Sequence, residues 1–220
     1  MGHSIIADFF VNKVGVVRNW LSTVFLVAGV VCLGGCATTP PNDLDNVCKI
    51  FKEKRGWYHA SKRSYKKWGV PIHVQMAIIH QESRFKSTAK PPRRKFLGII
   101  PTTRPSSAYG YGQVLDTTWK TYTRATGNRG ADRNDFGDVV DFVGWYGNAS
   151  AKRLRISKWN AKKQYLAYHE GHGGYERRTY RKKRWLLNAA AKVEANAARY
   201  RSQLAGCEKS LHRSFRFWPF

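Results

Sequence analysis

Apolar residues recur at helical spacing through most of the chain beyond residue 45, and glycines, prolines or polar clusters interrupt them. Asp45 is placed to cap a first helix running to about Trp68. Val47, Ile50, Phe51, Tyr58, Tyr65 and Trp68 form its apolar stripe, and Gly69 stops it. Pro71, with its fixed φ and no N–H, suits the first turn of a second helix. Val74, Ala77, Ile78 and Ile79 carry that helix to Glu82. Asp116 opens a third, through Trp119 and Tyr122 to Gly127. A fourth spans about Asp135 to Arg153 with Phe136, Val139, Val140, Val143 and Tyr146. Asn160 caps a short helix ending at Gly171, which the run from His172 to Tyr175 breaks. The last runs from about Arg181 to Leu204 and stops at Gly206, with Leu186, Val193, Ala197, Tyr200 and Leu204 on one face. No strong strand alternation, repeat or phosphate-binding glycine loop is visible, so the predicted class is mainly α with long loops.

The segment from Lys86 to Ala108 differs in kind. Four prolines and six cations mark it as a loop longer than most connections. Within it, residues 96–100 (Phe-Leu-Gly-Ile-Ile) read either as a flap that packs down or as a plain disordered insertion.

The first 35 residues read as a signal peptide. Lys13 and Arg18 precede an apolar run from Trp20 to Leu33 that is short for a membrane span. The sequence Leu33-Gly34-Gly35-Cys36 resembles the bacterial lipobox, which makes Cys36 the candidate for lipidation; a plain signal or N-terminal anchor is the alternative. Residues 36–44 then form a lipidated end and tether, residues 45–207 the folded domain, and residues 208–220 a basic, aromatic tail. Ala37 rather than aspartate after the cysteine resembles the outer-membrane sorting pattern.

Composition narrows the partners. A net charge of +25 over 220 residues calls for an acidic partner or a heavily solvated surface. Export argues against nucleic acid, and no nucleic-acid-binding signature is present. The acidic polymer of the envelope is peptidoglycan. Four cysteines are present; with Cys32 in the signal and Cys36 in the lipobox, Cys48 and Cys207 remain, and an oxidising compartment allows them to pair.

Three stretches carry candidate chemistry. Glu82 falls at an azimuth between Ile78 and Ile79, so a carboxyl stands on the apolar face at a helix end, where desolvation raises its pKa. A carboxylic acid still protonated near neutral pH can protonate a glycosidic oxygen. Tyr109-Gly110-Tyr111-Gly112-Gln113-Val114 combines a permissive backbone with an amide that both donates and accepts. The third stretch is Ala167-Tyr168-His169-Glu170-Gly171. His80, His169 and His172 lack a fitting set of metal-ligand spacings, so neither metal nor cofactor is expected.

In order and spacing, these stretches resemble the lysozyme-like lytic transglycosylases of the soluble-lytic-transglycosylase type over roughly residues 68–204. Glu82-Ser83-Arg84-Phe85 matches that family's Glu-Ser-x-Phe in full. Gly110 to Val114 stands where it has Gly-Leu-Met-Gln-Val/Ile, and Ala167 to Gly171 where it has Ala-Tyr-Asn-Ala-Gly. The resemblance implies a lysozyme-like helical fold and a single catalytic carboxyl. By position, Glu82 is the acid/base and Tyr168 hydrogen-bonds and orients it. Ser83, Gly110, Tyr111, Gln113, His169 and Glu170 fall at glycan-binding positions. Tyr111-Gly112 replaces an apolar pair, His169 an asparagine and Glu170 an alanine.

The implied reaction breaks the β-1,4 bond between N-acetylmuramic acid and N-acetylglucosamine and leaves 1,6-anhydro ends without consuming water. The implied setting is an outer-membrane lipoprotein facing the periplasm, acting on peptidoglycan strands and open to an envelope protein complex. Two alternatives stand beside it. One is a hydrolysing muramidase on the same fold, should Glu170 or Asp116 face the cleft. The other is a non-catalytic wall-binding lipoprotein.

Overall fold

The computed structural model describes residues 39–93, 95, 96 and 100–213. The signal, the lipobox with Cys36 and the final residues 214–220 lie outside the described residues, as do Leu97, Gly98 and Ile99 of the expected flap.

The described residues form seven α-helices: α1 Val47–Glu53, α2 Arg55–Trp68, α3 Ile72–Ser83, α4 Asp116–Thr126, α5 Phe136–Leu154, α6 Ala161–Glu176 and α7 Arg184–Arg213. A 3₁₀ turn, Thr179–Lys182, links α6 to α7. The long loop contains one antiparallel pair of two-residue strands, β1 Lys95–Phe96 and β2 Ile100–Pro101. Among the described residues, no helix is long and apolar enough to cross a membrane.

The helix α3 is the axis of the domain. Residues 72 to 80 are all buried, so it is enclosed around its full circumference and not only on one stripe. α7 packs along it, while α5 and α6 close other sides. Two of its polar side chains find partners nearby, while Gln75 Oε1 has none among the described residues. His80 Nδ1 lies 2.7 Å from the Tyr200 hydroxyl, and Gln75 Nε2 donates to the Val70 carbonyl at 2.6 Å. An aromatic layer lies between α2 and α5, where Trp57 stacks on Phe136 at 3.9 Å and both meet Tyr111 edge-on.

Several expected boundaries move. The first helix is two helices, broken at Lys54, and its cap is Asn46, whose side chain accepts from Lys49 N; Asp45 is not the cap. Asp116 is the first residue of α4, after Leu115 at the cap. Gly171, at φ 71° and ψ 162°, is non-helical and ends the first part of α6 where expected, but residues 172–176 resume as helix instead of breaking it. Gly206 does not stop α7, which continues to Arg213 because Leu204 and Leu211 still find apolar cover. Cys207 therefore lies within the last helix, where it forms a disulfide with Cys48 of α1 across a Cα–Cα distance of 6.1 Å.

Candidate active site

The C-terminal end of α3, the 106–118 segment, α5 and the second half of α6 enclose a cavity of about 490 Å³. Glu82 lies on its wall, one residue before Ser83 ends α3, and Arg84 caps the helix in the left-handed region. Phe142 and Tyr146 of α5 face it from the opposite helix, and Leu115 and Val114 add apolar surface. Burial in this apolar setting pushes the Glu82 carboxyl up to about 8, and a hydrogen bond donated by Tyr165 pulls it back only in part. Among the described residues, no lysine or arginine ion-pairs with Glu82. At neutral pH this carboxyl holds its proton.

Two tyrosines of α6 lie near Glu82. Tyr165 and Tyr168 are three residues apart on α6, so both project toward α3. Tyr165 supplies the hydroxyl to Glu82. Tyr168 also lines the cavity but gives its hydroxyl to the Gly112 carbonyl at 2.7 Å. That bond requires close approach, because a Cβ at position 112 would stand 2.9 Å from the Tyr168 oxygen. Tyr168 thus ties the 110–114 turn to α6, and Gly112 gives it the room to do so. Tyr165 carried no motif; its only mark in the sequence was its i−3 spacing from Tyr168.

The remaining predicted residues divide. Gln113 lines the cavity, and its Nε2 donates to the carbonyls of Ala89 and Gly110, both at 2.9 Å. Among the described residues, no hydrogen bond is made to its Oε1. His169 and Glu170 also line the cavity. Ser83, Gly110 and Tyr111 do not. Ser83 is buried, with its hydroxyl turned back to the Ile79 carbonyl. Tyr111 is 1% exposed in the aromatic layer, so it replaces apolar core volume and not a subsite wall. Gly110 is a hinge of the turn, with φ 77° and a Cβ position only 1.8 Å from the Arg133 carbonyl oxygen.

Glu170 is committed. Lys183 Nζ donates to both of its oxygens, at 2.7 and 2.9 Å, and Thr179 donates to Oε2. Burial works to raise this carboxyl, but the bonds from Lys183, Thr179 and His169 outweigh it and hold it below the ordinary range. Asp116, the other carboxylate considered from the sequence, is not on the cavity wall and pairs with Arg133 at 2.6 Å. His80 is enclosed by α7, while His172 stacks on Tyr146 at 4.6 Å and meets Ser150 Oγ at 2.9 Å. Among the described residues, no three His, Cys, Asp or Glu side chains come together as metal ligands.

This mainly helical domain presents one carboxyl without an ion-pair partner among the described residues to a cavity lined by aromatic side chains. The family model described as "Transglycosylase SLT domain" matches residues 24–207, and the chain belongs to that family. Membership gives it a lytic-transglycosylase type of function, with peptidoglycan as the polymer acted on and the cell envelope as the setting. The match begins inside the segment read as a signal and ends at Cys207. No curated protein matches the chain.

Proposed function

We propose that the protein cleaves the β-1,4 bond between N-acetylmuramic acid and N-acetylglucosamine in peptidoglycan, with Glu82 as the only acid/base, and leaves 1,6-anhydro-muramic ends. The observation that carries this reading is the pair of unlike carboxyls in one cavity. Glu82 is desolvated, unpaired and raised to about 8, whereas Glu170 is held ionised by Lys183.

With a value near 8, about nine-tenths of Glu82 carries a proton at pH 7. It gives that proton to the bridging oxygen as the C1–O bond breaks, and the N-acetylglucosamine side leaves as an alcohol. Glu82 is then a carboxylate of raised basicity. It takes the proton of the muramic acid's 6-hydroxyl as that oxygen bonds to C1, which closes the anhydro ring and restores the acid. No water enters the balance. The substrate's own acetamide stabilises the intermediate, so no second carboxylate is required. Hydrolysis would need a free base for water. Glu170 is poorly suited, since both of its oxygens already accept from Lys183.

The chain's +25 charge favours the carboxylates of peptidoglycan stem peptides over neutral glycans. Anchoring through lipid on Cys36, at the periplasmic face of the outer membrane, completes the proposal. Mass spectrometry tests both parts. Digested sacculi should yield anhydro-muramic ends with wild type and none with Glu82→Gln, whereas reducing muramic ends would establish hydrolysis. The mature N-terminus should carry a lipid on Cys36, and an unmodified one would refute anchoring.

A further inference from the structure

A second cavity, of about 380 Å³, lies where the start of α3, the loop before α6 and the middle of α7 meet. It shares no lining residue with the Glu82 cavity. His73 and Glu82 stand at opposite ends of α3, nine residues or about 13 Å apart along the axis. Nothing in the proposed reaction uses this place.

Its lining is chemically specific. Trp159 is 52% exposed, one of few large apolar side chains open to solvent. His73 meets its ring at a centroid distance of 5.4 Å, and the Arg201 guanidinium lies 5.4 Å from it. Those two contacts hold the indole in place and still leave half of its surface uncovered. His73 itself is only 8% exposed, and among the described residues no group hydrogen-bonds either ring nitrogen. Burial, with help from Arg201, lowers its pKa to about 4, so the imidazole is neutral and offers one donor and one acceptor. On the cavity wall, that donor and acceptor are available to a ligand. Asn160 spends its Oδ1 on capping α6 at Lys163 N and keeps its amide N–H groups for the cavity. Glu194 and Arg201, two turns apart on α7, add an acceptor and a forked donor, and neither is in an ion pair among the described residues.

An open aromatic plane beside a ring of mixed donors and acceptors matches a pyranose. A sugar presents C–H groups on one face and hydroxyls or acetamides around its edge. The formal charges of Glu194 and Arg201 cancel, so this pocket does not select for an anion as the surrounding +25 chain does. We propose that the Trp159 cavity is a second, non-catalytic binding site for the N-acetylated hexosamine glycan of peptidoglycan, holding a strand at a distance from the place where it is cut. The choice of glycan rests on the function proposed above.

Salt separates this site from general attraction to the basic surface, because screening removes the latter and leaves stacking and hydrogen bonds. The test is binding of the mature Glu82→Gln protein to purified sacculi at about 1 M salt. Adding Trp159→Ala should weaken that binding about tenfold, and Trp159→Phe, which keeps an aromatic plane, should restore most of it. Unchanged binding with Trp159→Ala would overturn the site. If Trp159→Ala lowers the melting temperature, an N-acetylglucosamine tetramer is titrated onto the Glu82→Gln protein and followed by NMR. Shifts at the Trp159 indole and His73 imidazole support the site, and still signals overturn it. Trp159-dependent binding by a wild type that cuts no sacculi refutes the proposed reaction and leaves this site standing; cutting with Trp159-independent binding does the reverse.

Discussion

The Tyr165 hydroxyl acts on Glu82 as a donor from a helix that packs against α3, and it lowers the carboxyl's pKa against the rise that burial causes. The bond favours the ionised form, while burial favours the neutral one and wins. The two opposed effects set the working range of the site. Removing the hydroxyl should move that range. Tyr165→Phe is expected to raise the Glu82 pKa further and shift the alkaline limb of the pH–rate profile upward. Tyr168→Phe should leave the limb where it is and cost about 1 kcal/mol of stability, because it strands the Gly112 carbonyl. Measuring both profiles, with melting temperatures alongside, separates the two tyrosines.

Glu82 also carries a stability cost with a defined sign. Its carboxyl titrates at about 8 in the folded protein and near 4.5 when unfolded. Between those values the unfolded state has released a proton that the folded state keeps, so stability falls as pH rises through this window. Glu82→Gln removes the titration. Its melting temperature should match wild type near pH 4 and exceed it progressively toward pH 8, while turnover falls by about 10²–10⁴. A constant gap across that range would contradict a raised pKa.

The Glu170–Lys183 pair predicts a different result. If Glu170 were a base for water, Glu170→Gln would end product formation. As a group fixed by Lys183 and Thr179, it should instead yield the same anhydro ends at a reduced rate, with the 3₁₀ turn loosened. Product analysis of Glu170→Gln digests checks this, and hydrogen exchange at residues 179–183 reports the loosening.

Gly110→Ala places a methyl carbon 1.8 Å from the Arg133 carbonyl oxygen at a backbone φ of 77°. Backbone has little freedom to yield there. The substitution should cost about 2–4 kcal/mol and displace Gln113 from the cavity, which denaturant unfolding and sacculus turnover would register together.

The helical class, the membership and the position of Glu82 were legible in the sequence, each for a local reason. α3 shows its buried character as an unbroken apolar run, and Glu-Ser-Arg-Phe marks its end. The Cys48–Cys207 pairing also followed, because compartment and elimination left no other partners. What stayed hidden depends on neighbours distant in sequence. Tyr111 resembles a subsite residue until Trp57 and Phe136 enclose it. Glu170 reads as a free carboxylate until Lys183 folds back onto it. Gly206 reads as a stop signal, but the apolar contacts of Leu204 and Leu211 carry α7 past it.

Reduction of the disulfide should lower the melting temperature far more than it lowers turnover at room temperature. The bond spans a sequence separation of 159 residues and lies outside the Glu82 cavity. The chain-entropy argument puts its contribution at up to about 5 kcal/mol. Thiol counting on denatured, unreduced protein should find neither Cys48 nor Cys207 free.

The same bond has a mechanical meaning. α1 is seven residues long and is the first helix that tension entering the domain at Thr39 would reach. Held by apolar contacts alone, so short a helix would peel away one turn at a time. Bonded to Cys207, it passes the load at once to α7, which lies along α3 and Glu82. Load on the residues before α1 is thereby shared with a helix of 30 residues and is not carried by α1 alone.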